Sequence, residues 1–237
     1  RVVMKAAIMQ PYIFPYIGYF QLIDAVDTFV FYDDVNFIKR GWINRNKLLV
    51  NGEEHMFTVA LSNVSQNKLI NEILILNKSD SQNQLLKTLK HNYNQAPNFN
   101  IVYSLVNEII SKENNITIAD LAINSVLCIS KFLELNTTFE KSSISYKLTK
   151  GQERADRLIN ITKEKGCDFY VNPIGGQELY NKDYFIKEGV SLKFIKSEFK
   201  EYKQFENQHV KGLSIIDVLM FNSKEETIKL IQNYKLI

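Results

Sequence analysis

Hydrophobic and polar positions at the start of the chain follow first a strand-like and then a helix-like period. Residues 5–9 form a short apolar run that ends at Gln10-Pro11. Such a run is typical of a buried strand, because proline rarely continues a central one. Apolar residues within 18–26 recur at helical spacing, and the aromatic, β-branched run 28–32 favours a second strand. Strand, helix and strand in this order predict a βαβ unit with parallel strands.

A polar stretch and a hairpin follow. Residues 33–46 are polar and predict a loop. The runs 47–50 and 56–60 flank Asn51-Gly52, which is a strong hairpin signal between apolar segments. The pattern then becomes helical from about 82 to 134, so we predict three helices there.

The second half of the chain alternates between helix and strand again. The pattern predicts a helix at 152–165 closed by Gly166, a strand at 168–171, a turn at 172–176, a short helix at 184–188, a strand at 191–195, and closing helices at 214–221 and 224–234. We therefore expect an α/β fold with a parallel-sheet, Rossmann-like core and an inserted helical region. Residues 4–80 and 137–237 would form the two parts of the core, and 81–136 the helical insertion.

Composition narrows the class of protein. The chain has 237 residues, 45% of them hydrophobic, which is enough for a substantial core. Its net charge of +3 is too small to indicate nucleic-acid binding, but it suits an anionic small substrate. Cys128 and Cys167 show no metal or redox spacing, and no apolar run reaches membrane-spanning length. We expect a cytoplasmic protein with no membrane span, no nucleic-acid partner, no structural metal and no obligatory cofactor.

The first candidate site is the loop between the first strand and the first helix. Ligands of open parallel sheets bind beyond the carboxyl ends of the strands, and this loop follows such an end. Gly18 near a helix start permits close approach of a ligand. The candidate binding residues here are Gln10, Tyr12, Gly18 and Tyr19. The aromatic residues are equally well explained as a plug that covers the sheet.

The second candidate is the polar loop after the second strand. Asp33 and Asp34 are candidate catalytic carboxylates, one of which would act as general base. Arginine and lysine suit a phosphate group, and a tryptophan face suits a base or a sugar. The candidate binding residues of this loop are Lys39, Arg40, Trp42, Asn44 and Arg45. The alternative is a solvated loop whose charges pair with one another.

Two later segments add candidates. Asn172, Gly175 and Gly176 follow the 168–171 strand, and the polar residues of 150–154 would face the same cleft. Near the C-terminus, Ser214 is a predicted helix N-cap with Asp217 three residues later. For Asp217 we favour a capping box with Ser214 over a place in a site.

These motifs resemble the WbqC-like family. The resemblance rests on residues 4–12 and 14–23, on Tyr32-Asp33-Asp34-Val35, on 39–46, and on the segments around 172–176 and 213–217. It implies a role in surface-polysaccharide (O-antigen) biosynthesis. A weaker similarity links the first strand and helix to nucleotidyltransferases of the pantothenate-synthetase type, although Tyr16 and Tyr19 stand where that superfamily has two histidines.

The resemblance and the residue types together predict an enzyme, a transferase or ligase. Its substrate would be a nucleotide-linked amino sugar or a related phosphorylated small molecule, and an acyl or aminoacyl group would be joined to the sugar amine. One alternative is an ATP- and magnesium-dependent adenylyl-transferring enzyme. The other is a non-catalytic sugar-nucleotide-binding or scaffold protein.

Overall fold

A computed structural model of the chain describes residues 2–205 and 208–237. Its strands are β1 (Lys5–Met9), β2 (Thr28–Phe31), β3 (Arg45–Val50), β4 (Glu53–Thr58), β5 (Thr138–Lys141), β6 (Phe169–Pro173), β7 (Ser191–Ser197) and β8 (Tyr234–Leu236). Its α-helices are α1 (Ile17–Asp24), α2 (Lys78–Tyr93), α3 (Phe99–Ser111), α4 (Ile118–Phe132), α5 (Ser142–Ser145), α6 (Arg154–Glu164), α7 (Lys182–Lys187), α8 (Ile215–Phe221) and α9 (Lys224–Ile231).

The central sheet has the strand order β5-β2-β1-β6-β7-β8. The first five of these strands are mutually parallel, and β8 pairs antiparallel to β7 at the edge. Numbered by their sequence, the parallel strands lie in the order 3-2-1-4-5, which is a doubly wound, Rossmann-like arrangement. The predicted α/β class with a mostly parallel sheet is therefore confirmed. The direction of winding reverses between β1 and β6.

Both faces of the sheet are covered, as a parallel sheet requires. Ala7 and Phe29 belong to a large core that includes residues of α1, the helical region α2–α4, α8 and α9. Ile8 and Val30, which alternate with them along the strands, belong to a second core with residues of α6 and α7. None of the helices described combines the length and the apolar character needed to span a lipid bilayer.

The sequence pattern did not predict the two strands at the edges of the central sheet. β5 carries Glu140 and Lys141 in a run of only four residues, so it has no apolar alternation to reveal it. β8 lies where the pattern extended the last helix to residue 234, whereas α9 ends at Ile231 and the following residues pair with β7. The predicted hairpin is present as β3 and β4, and Asn51 and Gly52 both adopt the positive φ that its tight turn requires.

Candidate functional site

Two cavities meet at the carboxyl ends of β1 and β6, where the winding reverses. The polar cavity, of about 780 Å³, lies on the α6 side, and the aromatic cavity, of about 650 Å³, lies on the α1 side. Their shared lining residues are Met9, Tyr12, Pro173 and Gly175. Both volumes fall within the usual range for small-molecule sites. The crevice at the reversal point is also where ligands of this sheet type bind.

The candidate residues from the sequence separate into three groups. The polar cavity is lined by Gln10, Tyr12, Asp34, Asn172, Gly175 and Gly176. The aromatic cavity is lined by Tyr12, Gly18, Tyr19, Trp42 and Gly175. Neither lining includes Asp33, Lys39, Arg40, Asn44 or Arg45.

A buried ion pair forms part of the wall of the polar cavity. Arg157 Nη2 donates to Asp34 Oδ2 at 2.7 Å, and both side chains are almost fully buried. Arg157 also donates to Thr149 Oγ1, and its guanidinium carbon lies 4.7 Å from the ring centre of Tyr32. The other oxygen of Asp34 accepts from the Ser142 hydroxyl. Because both carboxylate oxygens are engaged, this geometry suits Asp34 to holding Arg157 in place.

Asp33 faces away from the cavity, toward the start of α5. Its carboxylate accepts from the backbone N–H of Ser143 at 3.0 Å and from the Ser143 hydroxyl, and it shares the single Ser142 hydroxyl proton with Asp34. It thereby joins the end of β2 to the segment after β5. The contacts are those of a structural anchor.

The cations of the 33–46 loop lie apart from both cavities. Arg45 donates from Nε to the carbonyl of Gly41 at 3.0 Å and from its guanidinium to the carbonyl of Arg40. Lys39 and Arg40 are exposed, and Arg40 has a positive φ. Asn44 donates to the carbonyl of Val59. Arg45 and Asn44 thus hold the loop and hairpin together.

Other cations line the polar cavity. Arg154 is the first residue of α6 and Lys150 precedes the helix, and neither is paired with a carboxylate in the part of the chain that the structure describes. Arg154 lies 5.5 Å from the ring centre of Tyr180. Burial raises the pKa of Tyr180, and Arg154 opposes that shift. Two unpaired cations beside a cavity provide a positive field that suits an anionic ligand.

Sequence reasoning pointed to 150–154 but missed Arg157 and Tyr32. Arg157 lies three residues after Arg154, a spacing that places two side chains on one face of a helix. That spacing was the available signal. Nothing in the sequence shows that Asp34, 123 residues earlier, is its partner.

Asn172 and Gly176 are matched to each other. The Asn172 carboxamide accepts from the Tyr170 hydroxyl at 2.8 Å and donates to the carbonyl of Pro173 at 3.1 Å. A Cβ on Gly176 would lie 1.7 Å from Asn172 Nδ2, so only glycine leaves room for that amide. This packing holds the turn close to the polar cavity.

The tyrosines of the first loop have different surroundings. Tyr19 is buried and donates its hydroxyl to the carbonyl of Gln10 at 2.8 Å, so it fixes the loop. The ring of Tyr16 covers Gly18, where an added Cβ would meet it at 2.4 Å. Neither hydroxyl is arranged to replace a phosphate-binding histidine. Tyr12 is accessible and lines both cavities.

The aromatic cavity offers flat apolar faces. Trp42 is 39% exposed and lines it together with Tyr12 and Phe199. Lys47 Nζ lies 5.8 Å from the Trp42 ring centre. Such surfaces stack against the apolar faces of a base or a sugar ring.

The capping box favoured for Asp217 is wrong. Ser214 is the N-cap and accepts from the N–H of Ile216, but Asp217 turns inward. Its buried carboxylate accepts from the hydroxyls of Tyr93 and Tyr202 and from the amide of Gln204. Burial raises the pKa of Asp217 despite these hydrogen bonds. This buried network ties α2 and the 202–204 segment to α8.

Comparison with known proteins agrees with the motifs. The model of the WbqC-like protein family matches residues 10–229. The uncharacterized protein Rv1507c of Mycobacterium tuberculosis (strain ATCC 25618 / H37Rv) is 27% identical over 220 residues, which cover 92% of this chain and 93% of that protein. No solved structure matches the chain. All residues that line the two cavities lie within the matched range, except Ile8 and Met9 of β1.

Proposed function

The chain belongs to the WbqC-like protein family, and from that premise we propose that it binds a nucleotide-linked amino sugar and transfers an acyl or aminoacyl group to the sugar amine. One observation carries the binding proposal. Lys150 and Arg154, which form no ion pair within the described residues, adjoin a cavity at the winding reversal, and an aromatic cavity opens directly beside it.

The two cavities suit the two halves of such a ligand. The nucleotide lies in the polar cavity, where Lys150 and Arg154 neutralise the diphosphate beside the glycine turn at Gly175. The sugar lies in the aromatic cavity, against Tyr12 and Trp42. This arrangement replaces Lys39, Arg40 and Arg45 as the expected diphosphate ligands, because Arg45 is engaged within its own loop.

The transfer step requires a sugar amine and a donor. The amine nitrogen forms a bond to the donor's carbonyl carbon, and the bond from that carbon to the carrier breaks. The carrier leaves with the electron pair, and the proton lost by the amine balances its charge. We assign Asp34 a positioning role toward Arg157 rather than that of general base, because both of its oxygens are occupied.

An adenylyl-transferring function is less well supported. Tyr16 and Tyr19 stand in place of two histidines, and one hydroxyl is bound to a backbone carbonyl while the other ring covers Gly18. A non-catalytic binding protein would share the ligand but show no turnover. Incubation with UDP-glucosamine and acyl-coenzyme A, with product followed by mass spectrometry, tests acyl transfer. A parallel incubation with ATP and magnesium tests the adenylyl-transferring function by ATP consumption, and no turnover in either indicates a binding protein.

Binding itself is tested by calorimetry with UDP-glucosamine, UDP and glucosamine. Arg154→Ala should weaken UDP-glucosamine and UDP by about ten- to a hundredfold, the cost of a lost charge-assisted contact, and leave glucosamine unchanged. Trp42→Ala should weaken UDP-glucosamine and glucosamine but not UDP. Lys163→Ala, which removes an exposed cation from the far end of α6, is the matched control.

Arg40→Ala tests whether the diphosphate is held by the cations of the 33–46 loop or by those of the polar cavity. It should leave UDP affinity unchanged if Lys150 and Arg154 hold the diphosphate. Equal losses for UDP and glucosamine in Arg154→Ala, or a loss confined to Arg40→Ala, would contradict the proposal.

A further inference from the structure

A third cavity adjoins the aromatic cavity and differs from it in chemistry. This apolar cavity has a volume of about 320 Å³ and lies between α1, α8, α9 and the segment after β7. Its apolar wall is formed by Ile17, Leu213, Val218 and Leu230. Tyr16, Phe199 and Gly212 line both this cavity and the aromatic one, so the two spaces are neighbours.

Two accessible aromatic rings separate these cavities. The ring centres of Tyr16 and Phe199 are 6.1 Å apart, with the planes inclined by 48°. Phe199 is 57% exposed and Tyr16 is 37% exposed. Large apolar side chains exposed together beside a cavity are a feature of ligand-binding sites, because a bound molecule covers them.

A buried amide in the wall lacks one hydrogen bond. Gln21 lies on α1 with no exposed surface, and its Nε2 donates to the carbonyls of Leu230 at 3.0 Å and Asn233 at 3.2 Å. Its Oε1 has no partner among the described residues. Most buried polar atoms are hydrogen-bonded. An N–H or O–H group of a ligand would complete this one.

The cavity has a basic edge. Lys200, His209 and Lys211 are part of its lining, and none of the described lining residues is a carboxylate. Lys200 and Lys211 are exposed and carry no ion pair in the described part of the chain. The cavity therefore combines an apolar interior with an entrance that favours negative charge.

We infer that this apolar cavity binds the acyl donor: a short apolar acyl chain inside, an amide N–H of the carrier toward Gln21, and the anionic end of the carrier at Lys200 and Lys211. The inference rests on the proposed function, for which it names the second substrate. The acyl carbonyl then lies at the Tyr16–Phe199 boundary, beside the sugar in the aromatic cavity. The Tyr16 phenol is protonated at neutral pH, so its hydroxyl is available as a hydrogen-bond donor there, and burial raises its pKa further.

The test is binding of acetyl-, butyryl- and hexanoyl-coenzyme A, with coenzyme A and hexanoate as the separate halves. Affinity should rise about fourfold for each methylene that enters the cavity. Leu230→Phe, which narrows the cavity, should remove most of this dependence on chain length. Lys211→Glu should weaken all three thioesters about tenfold or more. Lys229→Glu, an exposed charge reversal on α9, is the control.

Phe199→Ala is a second variant that leaves the core intact, because Phe199 is mostly exposed. It should weaken hexanoyl-coenzyme A and leave UDP affinity unchanged. Affinity that does not depend on chain length would overturn the inference. So would binding of hexanoate without binding of any coenzyme A thioester, or no response to Leu230→Phe and Phe199→Ala. UDP-glucosamine is titrated into the wild type and into Leu230→Phe, whose side chain lines the apolar cavity but not the aromatic one, so loss of sugar-nucleotide binding tests the proposed function separately.

Discussion

The pair formed by Asp34 and Arg157 is the strongest electrostatic feature of the candidate site at the scale of single residues. Asp34 is 5% exposed and Arg157 is 3% exposed, so either charge left alone would be buried without compensation. Asp34→Asn should therefore destabilise the protein by about 3–5 kcal/mol. Urea denaturation measures this change directly.

The control is the more accessible pair Lys47–Glu54, which has a similar separation of 2.8 Å and side chains that are 26% and 54% exposed. Glu54→Gln should cost less than about 1 kcal/mol, since solvent screens that pair. Equal losses for the two variants would show that Asp34 does not depend on Arg157 in the folded protein.

Asp217 predicts a pH dependence of stability. Burial raises the pKa of Asp217, so the folded state favours its protonated form more than the unfolded state does. A group with a raised folded pKa adds stability that is complete below its unfolded pKa and is lost as the pH rises through the folded pKa. The wild type should therefore lose stability relative to Asp217→Asn as the pH rises from about 4 toward neutrality.

The measurement is the difference in unfolding free energy between wild type and Asp217→Asn at several pH values in that window. Among the described residues, Tyr93, Tyr202 and His209 are the titratable groups that interact with Asp217. They are the same in both proteins, so the difference isolates the carboxyl group. A difference that stays constant or moves in favour of the wild type would contradict the raised pKa.

At the scale of elements, the turn after β6 contains two glycines, and only Gly176 is required for its packing. Gly176→Ala would force the Asn172 amide away from Tyr170 and Pro173, because the new Cβ would lie 1.7 Å from Nδ2. We expect a loss of about 1–3 kcal/mol, the cost of leaving buried polar groups unpaired. Displacement of the Asn172 amide should also change the edge of the polar cavity, so UDP affinity should fall as well.

Gly175→Ala is the matched control, because among the described residues no atom beyond its two chain neighbours lies within 4 Å of the added Cβ. It should change stability by no more than about 0.5 kcal/mol. Thermal unfolding of the two variants side by side tests the difference, and a more damaging Gly175 substitution would contradict it.

The pattern of apolar residues predicted where the helices lie along the chain but not which other elements they contact. The three predicted helices occur as α2, α3 and α4, and their apolar faces pack in the same core as α1 and α8. The short edge strands β5 and β8 were missed because three or four residues are too few to show a period.

For the whole molecule, we propose that residues 81–136 are an insertion in the α/β core that does not unfold separately. Leu89 of α2 is fully buried in the core that also contains Ile23 of α1. Leu89→Ala should destabilise the chain by about 2–5 kcal/mol. The single tryptophan, Trp42, lies outside the helical region and reports on the rest of the protein.

Unfolding of Leu89→Ala should therefore shift by the same amount in Trp42 fluorescence and in far-ultraviolet circular dichroism. Phe185→Ala, in the second core on the other side of the sheet, gives the comparison. A biphasic dichroism curve with an unchanged fluorescence transition would show that the helical region is independent.

The sequence by itself determined the parts of this protein that depend on neighbouring residues. The apolar run 5–9, the aromatic run 28–32, the Asn51-Gly52 turn and the polar loops after the strands predicted the fold class and the edge of the sheet where the cavities lie. Only the tertiary structure decided which cations line the polar cavity. Arg45 and Arg154 both stand in polar segments of the sequence. Arg45 donates to a carbonyl of its own loop, whereas Arg154 lines the polar cavity. The same holds for Asp34, whose partner is 123 residues away, because periodicity records local spacing whereas sheet packing joins distant segments.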